Sequence, residues 1–148
     1  MMNNYLLFHL GERLFAVQMQ GAIEILPWRR ARPVPLAYSY VEGLLDYRGS
    51  IYPVLNLGML LGTSRPGPIG FTAANEQQPP GRTIILLQEG DRPFGITVDS
   101  VLKMSRLEEP EGRPPDIKDV NPNLVKGIRS EDDQEIILLG FERLFHAG

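Results

Sequence analysis

The chain has 148 residues, with 15 Lys and Arg against 18 Asp and Glu, a formal charge of −3 and no cysteine. That length suits one ordinary domain, and the mild acidity gives no general attraction to nucleic acid or anionic lipid. Without cysteine, disulfides, thiolate nucleophiles and cysteine metal sites are excluded, and a reducing compartment is expected.

Glycine and proline, 15 and 13 residues, together make about a fifth of the chain, a turn-rich composition that favours β structure over helical bundles. The first residues lack the basic charge of a signal peptide. No apolar run approaches the ~20 residues needed to span a bilayer.

In chain order, the apolar run Tyr5-Leu6-Leu7-Phe8 leads into Gly11-Glu12-Arg13, after which Phe15, Val17 and Met19 alternate with Ala16 and Gln18. This spacing predicts strand, tight turn, strand. Arg29, Arg30 and Arg32 follow as a basic knot in a proline-flanked loop. Pro53 interrupts an apolar run, so its strand is expected to be an edge or to bulge there. Asn56 is placed to cap one short helix over Leu57-Gly58-Met59-Leu60-Leu61.

Residues 63–82 hold four prolines with glycines between them and read as a surface loop. Next, Ile84-Ile85-Leu86-Leu87 runs into Gly90-Asp91-Arg92, and Phe94, Ile96 and Val98 alternate with Gly95 and Thr97. Residues 108–123 form a second irregular, proline-containing stretch. Acidic residues cluster there (Glu108, Glu109, Glu111) and again at Glu131, Asp132, Asp133 and Glu135, both in expected turns. A short helix-like segment at residues 141–146 matches the one after Asn56.

These elements repeat. At an offset of 79, Gly11 meets Gly90, Arg13 meets Arg92, Phe15 meets Phe94 and Ile25 meets Met104. At an offset of 84, Val41-Glu42-Gly43-Leu44 meets Val125-Lys126-Gly127-Ile128, and Val54-Leu55 meets Leu138-Leu139. Such self-similarity marks a duplicated unit. Two units are too few for a solenoid, so two small barrels around a shared apolar seam are expected, over repeat units of about 5–62 and 84–145 joined by the 63–82 loop.

Reactive equipment is scarce. No G-x-G occurs, none of the three lysines follows a P-loop, and no G-x-S-x-G surrounds a serine. His9 and His146 are distant from each other and suit a half-exposed strand and a solvated terminus, so neither a metal site nor histidine phosphotransfer is expected. The acidic clusters suit solvated turns. A duplicated β scaffold without a reactive centre points to a binding module rather than an enzyme. It calls for no cofactor.

The densest motif is Val41-Glu42-Gly43-Leu44-Leu45-Asp46-Tyr47-Arg48-Gly49-Ser50-Ile51-Tyr52-Pro53-Val54-Leu55-Asn56-Leu57. It resembles the CheW family of chemotaxis coupling proteins. Ala22-Ile23-Glu24-Ile25 looks like that family's V-x-E-hydrophobic segment, and Gly95 to Val101 looks like its G-hydrophobic-x-V-D-x-V segment. The likeness runs from Tyr5 to Phe145 in the family's order. Asp46 stands in place of the usual Asn, Asn56 and Gly58 where Asp and Arg are frequent, and Ala22 is smaller than the usual Val.

The resemblance implies an all-β fold of two five-stranded barrels and one CheW-like domain over residues 1–148. It also implies a non-enzymatic, cytoplasmic scaffold recruited to membrane-associated receptor arrays. The partners it implies are the cytoplasmic tip of chemoreceptors, the regulatory domain of the histidine kinase CheA and other CheW-like domains. No nucleic acid and no membrane insertion are implied. An adaptor of another sensory pathway, such as type IV pilus twitching, is the alternative within the family. A small-ligand-binding barrel and an RNA-binding barrel are the alternatives outside it.

By the same resemblance, Glu24 and Arg48 are expected to pair at the receptor groove. Gly43 and Gly49 would serve backbone needs there, and Ala22, Ile25, Val41, Leu44 and Val98 would offer apolar surface. A buried pair would be worth ~3–5 kcal/mol on loss of one partner, an exposed one only ~0–1 kcal/mol.

Overall fold

A computed structural model describes residues 1–62 and 82–146; the 63–82 loop expected from the sequence lies, but for Arg82, outside them. Ten strands form: β1 Met2–Leu10, β2 Arg13–Gln18, β3 Ala22–Pro27, β4 Val41–Tyr47, β5 Ser50–Asn56, β6 Thr83–Glu89, β7 Arg92–Val98, β8 Ser100–Glu108, β9 Val125–Glu131 and β10 Gln134–Leu139. Two short helices, α1 Leu57–Leu61 and α2 Glu142–His146, follow β5 and β10. As expected, Asn56 caps α1: its Oδ1 accepts from Met59 N–H at 3.1 Å. Gly62 ends the helix in the left-handed conformation, φ 86°.

The strands make two five-stranded sheets, ordered β8-β1-β2-β10-β9 and β3-β6-β7-β5-β4. Exchanging β1–β5 with β6–β10 turns one order into the other, so the duplication in the sequence is a duplication in space. Neither sheet, however, is built from one half of the chain. The β1–β2 hairpin joins β8, β9 and β10, and the β6–β7 hairpin joins β3, β4 and β5. Each sheet is mixed, because β2 and β10 run parallel, as do β5 and β7.

The continuous apolar runs follow from burial on both faces. Leu7, Leu14, Ala16, Ile136 and Leu138 form a cluster belonging to the first sheet alone. Leu26, Leu45, Tyr52, Val54, Ile84 and Leu86 do the same for the second. The alternate residues of the same strands, Leu6, Phe8, Phe15 and Val17 on one sheet with Ile85, Leu87, Phe94, Ile96 and Val98 on the other, merge into one core between the sheets. Phe94 and Phe141 meet edge to face there, with centroids 5.1 Å apart. The expected shared seam is therefore present, flanked by an apolar interior for each sheet.

One expectation is corrected. β5 is not an edge strand, and no bulge falls at Pro53, which pairs with Leu44 of β4. The parallel ladder to β7 begins only at Val54. Pro53 thus occupies the one stretch of the strand where its missing N–H deprives no neighbour of a ladder bond.

Candidate functional site

The end strands of each sheet, β3 with β4 and β8 with β9, share no ladder. Side chains span them instead. In the first sheet Lys103 Nζ of β8 lies 2.7 Å from Glu131 Oε1 of β9, which also accepts from Ser105 Oγ at 3.0 Å. These contacts hold the Glu131 carboxyl below its ordinary pKa, Lys103 first and Ser105 second, and the same pairing raises Lys103.

In the second sheet the equivalent position on β3 is Glu24. Its Oε1 accepts from Tyr47 Oη of β4 at 2.6 Å and lies 3.8 Å from Arg48 Nη2. Glu24 and Tyr47 are thus the counterparts, by the offsets of 79 and 84, of Lys103 and Glu131.

Arg48 and Gly49 are the two central residues of the β4–β5 turn, closed by the Tyr47–Ser50 pair. Both have positive φ, 50° and 82°, the pattern of the tight turn whose twist matches a hairpin. Gly49 meets this without strain, and a Cβ there would touch nothing. Gly43 is needed for a different reason: its φ is 150°, and a Cβ would collide with the carbonyl of Arg32. That close approach lets Arg32 and Leu44 exchange two backbone hydrogen bonds of 2.8 Å, pinning the basic loop to β4.

The guanidinium carbons of Arg29 and Arg48 lie over the Tyr47 ring, 5.7 and 5.3 Å from its centroid. Trp28 Nε1 donates to Glu42 Oε1 at 3.4 Å, and Arg32 Nη1 stands 3.8 Å from Asp46 Oδ2. The hydrogen bond to Glu24 is the chief cause holding the Tyr47 phenol above its ordinary pKa. The result is a cluster across the β3–β4 gap in which Arg29, Arg48, Glu24, Glu42, Trp28 and Tyr47 lie on the side of the sheet's own interior, while Asp46 with Arg32, and the exposed Ile25 and Ile51, lie on its outer side.

Of the residues expected at a groove, Glu24, Arg48 and Gly49 come together around the β4–β5 turn, whereas Ile25, next to Glu24 on β3, points to the outer side of the sheet. Leu44, on β4, is half-buried. Ala22 and Val41 pack, half-buried, against the core between the sheets. Val98 is wholly inside that core and offers no surface. The Glu24–Arg48 pair forms, but it is long, and the Arg48 side chain is 78% exposed, which places it in the weak class of surface ion pairs.

A separate cleft of about 760 Å³ lies between the sheets, with Val17, Leu87 and Phe94 among its apolar lining and Gln18, Gln20 and the Lys126–Glu142 ion pair among its polar lining. None of the nine expected residues lines it, although Gly21 and Ile23 on either side of Ala22 do. Tyr47 is not a residue that the sequence singles out. Its one signal is an aromatic residue next to Arg48 at a strand end, and the partner that gives it meaning is 23 residues away. Among the described residues, no group of three or more His, Asp or Glu is placed to hold a metal. No described helix is long and apolar enough to cross a membrane.

A family model described as CheW-like domain matches residues 4–148. The chain is 27% identical over 140 residues to the chemotaxis protein CheW of Treponema pallidum, covering 93% of this chain and 79% of that protein. It is 28% identical over 137 residues to the CheW of Thermotoga maritima, covering 93% and 83%. The crystal structure of the scaffolding protein TtCheW from Thermoanaerobacter tengcongensis superimposes with a TM-score of 0.81 at 23% identity, over 98% of this chain and 93% of that one.

Proposed function

The chain belongs to the CheW-like domain family, and from that premise we propose that it is a non-enzymatic scaffold coupling chemoreceptors to the histidine kinase CheA in a chemotaxis signalling array. The observation that carries this reading is the extent of the match, which takes in both repeats and therefore both sheets and the outer surface of each. A scaffold needs separate faces for separate partners, and a duplicated fold supplies two of the same shape with different side chains.

The finer assignments are part of the proposal. Residues 1–148 act as a single domain of two repeats, about 5–62 and 84–145. The protein works in the cytoplasm at membrane-associated arrays. The surface around the β4–β5 turn and β3, with Glu24, Arg48 and Gly49 at the strand gap and Ile25 on the outer side, and with Gly43 holding its loop, meets the receptor tip, while the CheA regulatory domain and other CheW-like domains are held elsewhere. Ala22 and Val41 hold β3 and β4 to the core between the sheets, Leu44 lies half-buried on the outer side of β4, and Val98, inside the core, has no part in the contact.

Coupling of this kind requires no bond to be made or broken. Receptor states that differ in their interaction energy with the scaffold shift the kinase between its own states by that difference. Co-sedimentation of the chain with a receptor fragment and the kinase regulatory domain tests this. Both are expected in the pellet, and Arg48→Ala is expected to release the receptor fragment while leaving the melting temperature unchanged. Turnover of a substrate by the purified protein, or the absence of both partners from the pellet, would overturn it.

A further inference from the structure

We propose that the Tyr47 hydroxyl is a positioning group that keeps Glu24 from neutralising Arg48, leaving the guanidinium available to a carboxylate on the partner. The inference rests on the scaffold reading, with Arg48 as a contact residue, and deepens it.

The geometry centres on one oxygen. Glu24 Oε1 is the atom nearest the Arg48 guanidinium, at 3.8 Å, and it is the same atom that accepts from Tyr47 Oη at 2.6 Å. A carboxylate and a guanidinium side by side normally close to about 2.8 Å and pair through two bonds. The carboxylate keeps other acceptor sites, so the hydroxyl acts by position: the 2.6 Å bond ties Oε1 to Tyr47 and holds the carboxylate where Arg48 stands at 3.8 Å. The ring of the same tyrosine lies beneath Arg48, 5.3 Å from its carbon, so the cation is supported by an aromatic face and does not depend on closing onto Glu24.

The backbone gives a second, independent argument. Arg48 sits at φ 50°, in the left-handed region, which disfavours L-residues other than Gly, Asn and Asp. The counterpart turn of the other repeat carries Asp132 and Asp133 at φ 52° and 63°, residues suited to that conformation. A long cation held in an unfavourable backbone conformation, and left 78% exposed by its own neighbours, is a group kept for something outside the chain.

The test is a set of three variants, Tyr47→Phe, Glu24→Gln and the double variant, each checked first for an unchanged melting temperature. Binding of a soluble chemoreceptor hairpin fragment is measured by titration calorimetry. Tyr47→Phe is expected to weaken it five- to tenfold, because Glu24 then captures Arg48. The double variant is expected to bind within about twofold of Glu24→Gln alone, because a neutral amide in place of the Glu24 carboxylate has no charge to capture Arg48. In the free protein, Tyr47→Phe is also expected to slow exchange of the Arg48 Nε–H with water, as the ion pair closes.

Unchanged binding by Tyr47→Phe, or a double variant weaker than Glu24→Gln by the same five- to tenfold, would overturn the inference while leaving the scaffold reading intact. Failure of the unaltered protein to bind the fragment would overturn the scaffold reading and this inference with it. The exchange measurement alone would still show whether the hydroxyl separates Glu24 from Arg48.

Discussion

At the scale of single residues, the two glycines that flank Tyr47 in β4 and its turn answer to different physics. Gly49 is required by its positive φ, Gly43 by both its φ and the backbone packed against it. Gly43→Ala is therefore expected to cost about 2–4 kcal/mol, a magnitude reserved for overpacking at a position with no room to shift. Gly49→Ala meets no clash and should cost about 1–2 kcal/mol, the penalty of a left-handed L-residue. Urea titration of both variants reads the difference, and equal losses would contradict this account.

Arg48 runs the other way. Replacing it by Asn, which tolerates its φ of 50°, removes only a weak exposed ion pair and an exposed contact with the Tyr47 ring. Arg48→Asn should hold or raise stability by up to about 1 kcal/mol while receptor-fragment binding is lost. A clear fall in melting temperature would mark the residue as structural.

At the scale of elements, the sheets are completed by side chains where backbone pairing stops. The Lys103–Glu131 contact spans β8 and β9, so its charge state bears on how firmly the two ends of the first sheet are held together. Glu131 titrates below the ordinary 4.5 in the folded protein, so its contribution is present above that value and is lost as pH falls through the folded pKa. Lys103 titrates above 10.5, so its contribution is present below that value and is lost as pH rises through the folded pKa. Lys103→Met should accordingly be less stable than the original protein at pH 7, with the gap narrowing as pH falls through the folded pKa of Glu131, below 4.5. Lys103 is exposed and Glu131 only half-buried, so solvent screens the pair and the gap is small. A gap that does not narrow as pH falls would show that the lysine acts through packing of its stem.

At the scale of the whole molecule, the exchange of hairpins between halves makes the sheets interdependent. The first sheet needs β1 and β2 from one repeat and β8, β9 and β10 from the other, so no contiguous half of the chain contains a complete sheet. The single tryptophan, Trp28, packs against the interior of the second sheet and reports on it alone. Leu7, fully buried, belongs to the interior of the first. Leu7→Ala should cost about 2–5 kcal/mol. The Trp28 fluorescence transition should move by the same amount as the circular dichroism transition. Separate transitions would mean that the sheets unfold independently.

The order of residues by itself determined the duplication, the turns at Gly11 and Gly90, the Asn56-capped helix and the burial of Tyr5–Phe8 and Ile84–Leu87, because each depends on contacts within a few positions or on one face against another. Only the tertiary structure decided which hairpin joins which sheet, since a strand apolar on both faces pairs equally well, as a pattern, with either repeat. It also decided that Val98 is core rather than surface, that Pro53 lies in an inner strand, and that Glu24 answers first to Tyr47. An alternating pattern records that a side chain is turned inward or outward, while the neighbour it meets beyond its own strand is set by how the sheet curls.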